Sequence, residues 1–240
     1  MSGCEQTCAK ACRSAIERRL GKLACNGKAA HPTDLPAGTS FEYFHKFRNP
    51  TSYGKYRARE DLQFVVLHNG GKMDNEDSQT IRNHLLSTWA TSGLSSHFFV
   101  SKKGTIYSLL NIDCTARHTA GQNINERSIG IDLPEPDCEV TAAENVAKKG
   151  QAKKKERKVP CVNAASCGGS YPKELLASLK RLLHWIGGRT GVSIGDARVF
   201  GHREVEKKRG DPSCFFPWES LGLQSSAHEA RRTRKVPDRK

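Results

Sequence analysis

No apolar run in this 240-residue chain approaches the roughly 20 residues needed to span a bilayer, so no transmembrane helix is expected. None of its nine cysteines forms a C-x-x-C pair, which argues against a zinc knuckle. No internal repeat is visible, which argues against a solenoid or propeller. Hydrophobic residues are sparse, at 36% against 27% charged, so one core is expected in part of the chain, with polar extensions around it. Acidic residues are also in short supply. The 25 of them face 39 basic residues, leaving a net charge of +14. Such a chain concentrates at polyanions: nucleic acid, anionic membranes or acidic cell walls. Solvated lysine-rich loops are the plain alternative, and charge alone does not choose.

Nine cysteines are many for a reduced cytosolic protein. Cys4, Cys8 and Cys12 fall four apart, on one face if that stretch is helical. Disulfides among Cys138, Cys161, Cys167 and the N-terminal group suit an oxidising, extracytoplasmic or wall-facing compartment, and the odd number leaves at least one thiol over or pairing between chains. No hydrophobic h-region follows the N-terminus, so no secretion signal is expected in the chain as read. Met1-Ser2-Gly3-Cys4 nonetheless resembles the end of a lipoprotein signal.

Residues 1–61 read as a cysteine-containing basic extension. Its first 30 residues carry a weak helical pattern (Ile16, Leu20, Leu23). Residues 31–61 read as an irregular arm laid against the domain, whose Phe41, Tyr43, Phe44, Tyr53 and Tyr56 are suited to packing on the core or lining a substrate groove, with packing the favoured use. A domain is expected over 62–224. Phe64–His68 is an apolar run of strand length, and Ile81, Leu85 and Trp89 predict a helix capped by Asp77 or Ser78. Ser96–Val100 and Thr105–Leu109 predict a hairpin turning at Gly104, and Ser128–Leu133 another strand. A lysine-rich insertion over 134–169 precedes a long helix from Tyr171-Pro172 through Leu175, Leu179, Leu182 and Ile186, ending near Gly187-Gly188. A strand over Arg198–Gly201 follows, then a basic tail over 225–240. Strands alternating with helices, with a hairpin inside, predict an α/β (mixed α+β) fold with a central mixed sheet flanked by helices.

In such a fold, sites gather at strand ends. Gly201-His202 follows the short strand Val199-Phe200, and Asp211 lies nine positions on. His68 ends the strand Phe64–Leu67. Two imidazoles and a carboxylate suit zinc and leave one position open for water, which places the expected metal site at strand ends. His31, His45, His84, His184 and His228 match no motif.

Seven stretches in order carry a family resemblance. They are Val66-Leu67-His68-Asn69, Ser95-Ser96-His97-Phe98-Phe99-Val100, Gly104-Thr105-Ile106-Tyr107, Ala116-Arg117-His118-Thr119-Ala120-Gly121, Ser128-Ile129-Gly130-Ile131-Asp132-Leu133, Gly201-His202-Arg203-Glu204, and Asp211-Pro212 with Phe216-Pro217-Trp218. Together, over about 62–222, they resemble the type-2 N-acetylmuramoyl-L-alanine amidases, the superfamily of AmpD-like enzymes, phage lysozyme-amidases and peptidoglycan recognition proteins.

The resemblance implies Zn²⁺ held by His68, His202 and a third ligand. That ligand is Asp211 in the AmpD-like pattern, with Cys214 as the alternative. It implies Asp132 as the acid–base group, where a glutamate is usual, and Arg209 or Lys208 as the cation facing the oxyanion. His97, His118 and Asn69 fall where the family lines its substrate groove. A metal of this kind activates water, Asp132 moves the proton to the leaving amine, and the cation stabilises developing charge. The implied reaction is hydrolysis of the bond between N-acetylmuramic acid and L-alanine in peptidoglycan or muropeptides. The rival reading is a recognition domain that grips muropeptide without cutting it. A charge-driven nucleic-acid binder has no motif behind it, and the basic arms instead suggest attachment to an anionic wall.

Overall fold

A computed structural model describes residues 41–43, 53–70, 79–81, 83–84, 92–136, 171–206, 209–212 and 216–227. The N-terminal helical pattern, the caps at Asp77 and Ser78, Leu85 and Trp89, most of the 134–169 insertion, the cysteines other than Cys114, and Lys208 lie outside these residues. Strands β1 (Phe41–Tyr43), β3 (Phe64–Asn69), β4 (Phe98–Val100), β5 (Ile106–Ser108), β7 (Ser128–Leu133) and β8 (Val199–Gly201) form one six-stranded sheet ordered β1-β5-β4-β7-β3-β8. β2 (Tyr53–Tyr56) pairs antiparallel with β6 (Cys114–Ala116) in a second ribbon. β4 and β5 form the expected antiparallel hairpin, turning at Gly104 with φ +80°, whereas β3 runs parallel to both β7 and β8. The sheet is therefore mixed, with helices packed against it.

Two expectations give way here. The arm over 31–61 is not irregular: it supplies β1, parallel to β5, and β2. Strands of three or four residues carry too few alternations to register as a period, and distant partners complete them. The long helix, α2 (Lys173–Thr190), does not stop at Gly187-Gly188. It runs through them and ends at Gly191, whose φ of +72° is the left-handed conformation that glycine adopts freely. A Cβ on Gly187 would meet Ile194 Cγ1 at 3.0 Å, so the bare Cα lets the returning chain pack on the helix.

α2 buries Leu175, Leu179, Leu182, Leu183 and Ile186 along one stripe. The facing side of the sheet supplies Val65, Leu67, Phe98, Ile129, Ile131, Leu133 and Val199, and these close the hydrophobic core. Each such side chain contributes about 1.5–3 kcal/mol of burial. Because side chains alternate across a strand, the remaining positions of β7, namely Ser128, Gly130 and Asp132, face the other way. Register places Phe64 beside Ser128, Val66 beside Gly130 and His68 beside Asp132. One face of the sheet is thus core and the other carries the polar residues. No helix among the described residues is long and apolar enough to cross a membrane.

Candidate metal centre

β3 delivers His68 at its penultimate position, and β8 leads straight into α3 (His202–Val205), whose first residue is His202. The two rings stand edge to face with centroids 4.3 Å apart, and both are buried. Asp211 reaches them because the chain folds tightly back on β8. The Arg203 N–H donates to the Asp211 carbonyl at 2.8 Å. A Cβ on Gly201 would lie 2.9 Å from Pro212 Cδ, so glycine there is what admits the Asp211-Pro212 segment. The Asn69 N–H then donates to Asp211 Oδ2 at 3.2 Å.

The result is one convergence. Asp211 Oδ2 lies 3.1 Å from His202 Nδ1 and 3.7 Å from His68 Nδ1. One ligand atom from each of the three residues falls within 4.8 Å of the other two.

The protonation of His68 follows from its neighbours. Ser128 Oγ lies 2.6 Å from the Ile124 carbonyl, which only accepts, so the hydroxyl donates there. It must then accept from His118 Nε2–H, at 3.0 Å. His118 Nδ1 is left bare and accepts from His68 Nε2–H, at 2.8 Å. His68 therefore turns an unprotonated Nδ1 toward a carboxylate, two lone-pair atoms facing each other. Burial, with His202 and His118 nearby, holds the His68 pKa well below its ordinary value, so the ring stays neutral. Burial alone would raise Asp211, but the hydrogen bond and charge of His202 and the Asn69 N–H outweigh it and lower its pKa. An anionic oxygen beside a bare imidazole nitrogen is a donor set that fits a divalent cation such as zinc.

Asp132 sits beside His68 on the same face of the sheet. Burial pushes its pKa up to about 7 and the Asp211 charge adds to this, against a hydrogen bond from Ser96 and the influence of His202. A carboxyl poised near neutrality in such a place suits proton transfer.

The other expected residues divide. His118 joins the site, but through His68 rather than as groove lining. His97 is held inside the fold. It is fully buried, its Nδ1 accepts from the Gly130 N–H at 3.0 Å, and its Nε2–H donates to the Cys114 carbonyl at 2.9 Å. With both nitrogens committed inside the fold, it is a structural histidine. Asn69 uses its N–H on Asp211, and its Oδ1 accepts from Tyr171 OH at 3.3 Å. Arg209 is half exposed and donates to Glu206 Oε2 at 3.3 Å.

Three contributors escaped the sequence reading. Glu206 lies against His202 Nε2, four residues on along the same helical face, a spacing readable from His202-Arg203-Glu204-Val205-Glu206. Arg57, from the assigned arm, buries its guanidinium among the carbonyls of Ile112, Asn125 and Ser128, and burial lowers its pKa to about 9. Cys114, on β6, is disulfide-bonded.

Gly130 was read only as part of a motif, and its role here is spatial. A Cβ there would lie 2.6 Å from His118 Cγ and 2.8 Å from His118 Cδ2. Gly130→Ala is expected to displace the His118 ring, cost about 1–3 kcal/mol and weaken metal binding by removing the partner of His68. Denaturant unfolding and chelator competition check both effects.

A sequence model of the N-acetylmuramoyl-L-alanine amidase family matches residues 58–214. Among solved structures, the endolysin amidase LysCS from Clostridium intestinale URNW is 19% identical over 78% of this chain and 94% of its own, with a TM-score of 0.48. The Drosophila peptidoglycan recognition protein SA is 14% identical over 74% of this chain and 88% of its own, with a TM-score of 0.50. The Apis mellifera protein of the same name is 14% identical over 74% and 92%, also at 0.50. At 14% identity and a TM-score of 0.50, the likeness to the two recognition proteins speaks for the fold alone. A comparison with curated protein sequences returned no match. The family model spans most of the chain and includes every residue of the His68, His202 and Asp211 cluster: this protein belongs to the N-acetylmuramoyl-L-alanine amidase family.

Proposed function

We propose that this protein is a zinc-dependent hydrolase of the amide bond between N-acetylmuramic acid and L-alanine, in peptidoglycan or its fragments. The observation that carries the reading is the convergence of His68 Nδ1, His202 Nδ1 and Asp211 Oδ2, with a near-neutral carboxyl, Asp132, next to it on the sheet. Bound by these three residues, zinc would supply Lewis acidity toward the scissile carbonyl and toward water.

The chain supplies the rest. Asp132 in its ionised form accepts a proton from the attacking water, then returns it to the leaving alanine amine. Arg209, anchored by Glu206, or alternatively Lys208, supplies positive charge for the developing oxyanion. Asn69 and Arg203 hold Asp211 in place through backbone N–H groups. The net charge of +14 adds electrostatic attachment to an anionic wall.

The test is hydrolysis of purified peptidoglycan, or of a muramoyl-tripeptide, with zinc content measured alongside. New N-terminal alanine amines are expected in zinc-replete protein and not after chelation. Bound zinc without cleavage would instead make the protein a recognition module. Absence of zinc would remove His68, His202 and Asp211 from the proposal together.

A further inference from the structure

His202 has two ring nitrogens and two carboxylates. Asp211 faces Nδ1, and Glu206 Oε2 makes a short contact with Nε2. The second oxygen of Glu206 is also committed: Oε1 accepts from the Ala120 N–H at 2.7 Å. Ala120 follows His118 and Thr119 in the segment between β6 and the short helix α1 (Gln122–Arg127). His118, in turn, is the partner of His68 Nε2. A single carboxylate therefore ties the second histidine of the cluster to the segment that braces the first. Residues 86 positions apart in sequence are joined by it.

We propose that Glu206 is a positioning residue. It fixes His202 with Nδ1 turned toward Asp211, and it clips the His118–Ala120 segment to α3, so that the two histidines are held as one unit. The inference rests on the zinc-site reading above and deepens it. The chemistry requires a carboxylate. Glu206 Oε2 accepts from His202 Nε2–H and from Arg209 Nε–H, and Oε1 accepts from the Ala120 N–H, whereas glutamine offers one oxygen and a competing NH₂. Outer partners of this type orient metal-binding imidazoles, and their loss typically weakens metal affinity about 10–100-fold.

The experiment compares full-length wild type, Glu206→Gln and Glu206→Ala in two readouts. The first is zinc affinity by chelator competition. The second is hydrogen exchange at the Ala120 amide in metal-free protein. Glu206→Gln is expected to bind zinc about tenfold more weakly, and Glu206→Ala up to about 100-fold more weakly. In Glu206→Ala the Ala120 amide is expected to exchange at least about tenfold faster, with metal-free melting otherwise preserved. Wild-type zinc affinity in Glu206→Ala, or unchanged Ala120 protection, would overturn the inference. If wild type itself binds no zinc, the metal reading fails, while Ala120 exchange still decides whether Glu206 clips the segment.

Discussion

Asp132→Asn is expected to lower amide hydrolysis by about 10²–10⁴-fold while zinc stays bound. The expectation comes from register. β7 places Asp132 beside His68, on the polar face of the sheet, without making it one of the three converging ligands. Its burial has two consequences with definite signs. For catalysis, the base form exists above a pKa of about 7, so in the absence of other charge the rate climbs as pH rises through that value. A cation held nearby favours the ionised form and moves the limb to lower pH.

For stability, the folded pKa lies above the ordinary 3.8, so the native state holds an extra proton between 3.8 and about 7. Metal-free protein therefore loses stability as pH rises through that window, by at most on the order of 4 kcal/mol. Asparagine has no such proton to lose. Asp132→Asn should flatten this slope, and denaturant melts of metal-free protein at pH 5 and pH 8 measure it. A variant that stays fully active would remove Asp132 from the reaction.

His202→Ala is expected to have the larger effect on the metal. In the proposed site it removes one of three ligands, and zinc affinity should fall by well over the roughly 100-fold that accompanies loss of an outer partner, taking hydrolysis with it. Asp211→Asn should behave similarly. Its carboxylate is kept ionised by His202 and the Asn69 N–H, and an amide carries no charge to replace it. Cys214→Ser is expected to keep its zinc, because Asp211 already meets both histidines. Zinc content by mass spectrometry, with hydrolysis on the same samples, separates these outcomes. Zinc lost from Cys214→Ser and retained in Asp211→Asn would exchange the third ligand.

Residues that carry strong local patterns revealed their elements in advance. Phe64–Leu67, the Phe98–Ser108 hairpin, Ser128–Leu133 and the leucines of α2 each bury several side chains in a repeating order. β1, β2 and β6 did not show, because three or four residues hold their place by pairing with distant partners. His68, His202 and Asp211 were legible as a set because motif spacing and ligand chemistry agree. The network behind them was less so. His97 and His118 look alike in sequence, yet one closes on backbone groups and the other on His68. Only the fold decides which. Glu206 was readable from its spacing to His202, but its second contact, with Ala120, arises from chain segments that meet in space.

The alternation along β7 has a consequence for how the protein reaches its working state. Ile129, Ile131 and Leu133 belong to the leucine core, and Ser128, Gly130 and Asp132 belong to the histidine side. A slip of a single residue would drive Asp132 into the aliphatic interior and press isoleucine against His118. Misregistered intermediates are therefore penalised on both surfaces at once. Chemical competence cannot precede correct strand pairing in this chain; the two arrive in the same step, and a population with β7 out of place would be inert as well as unstable.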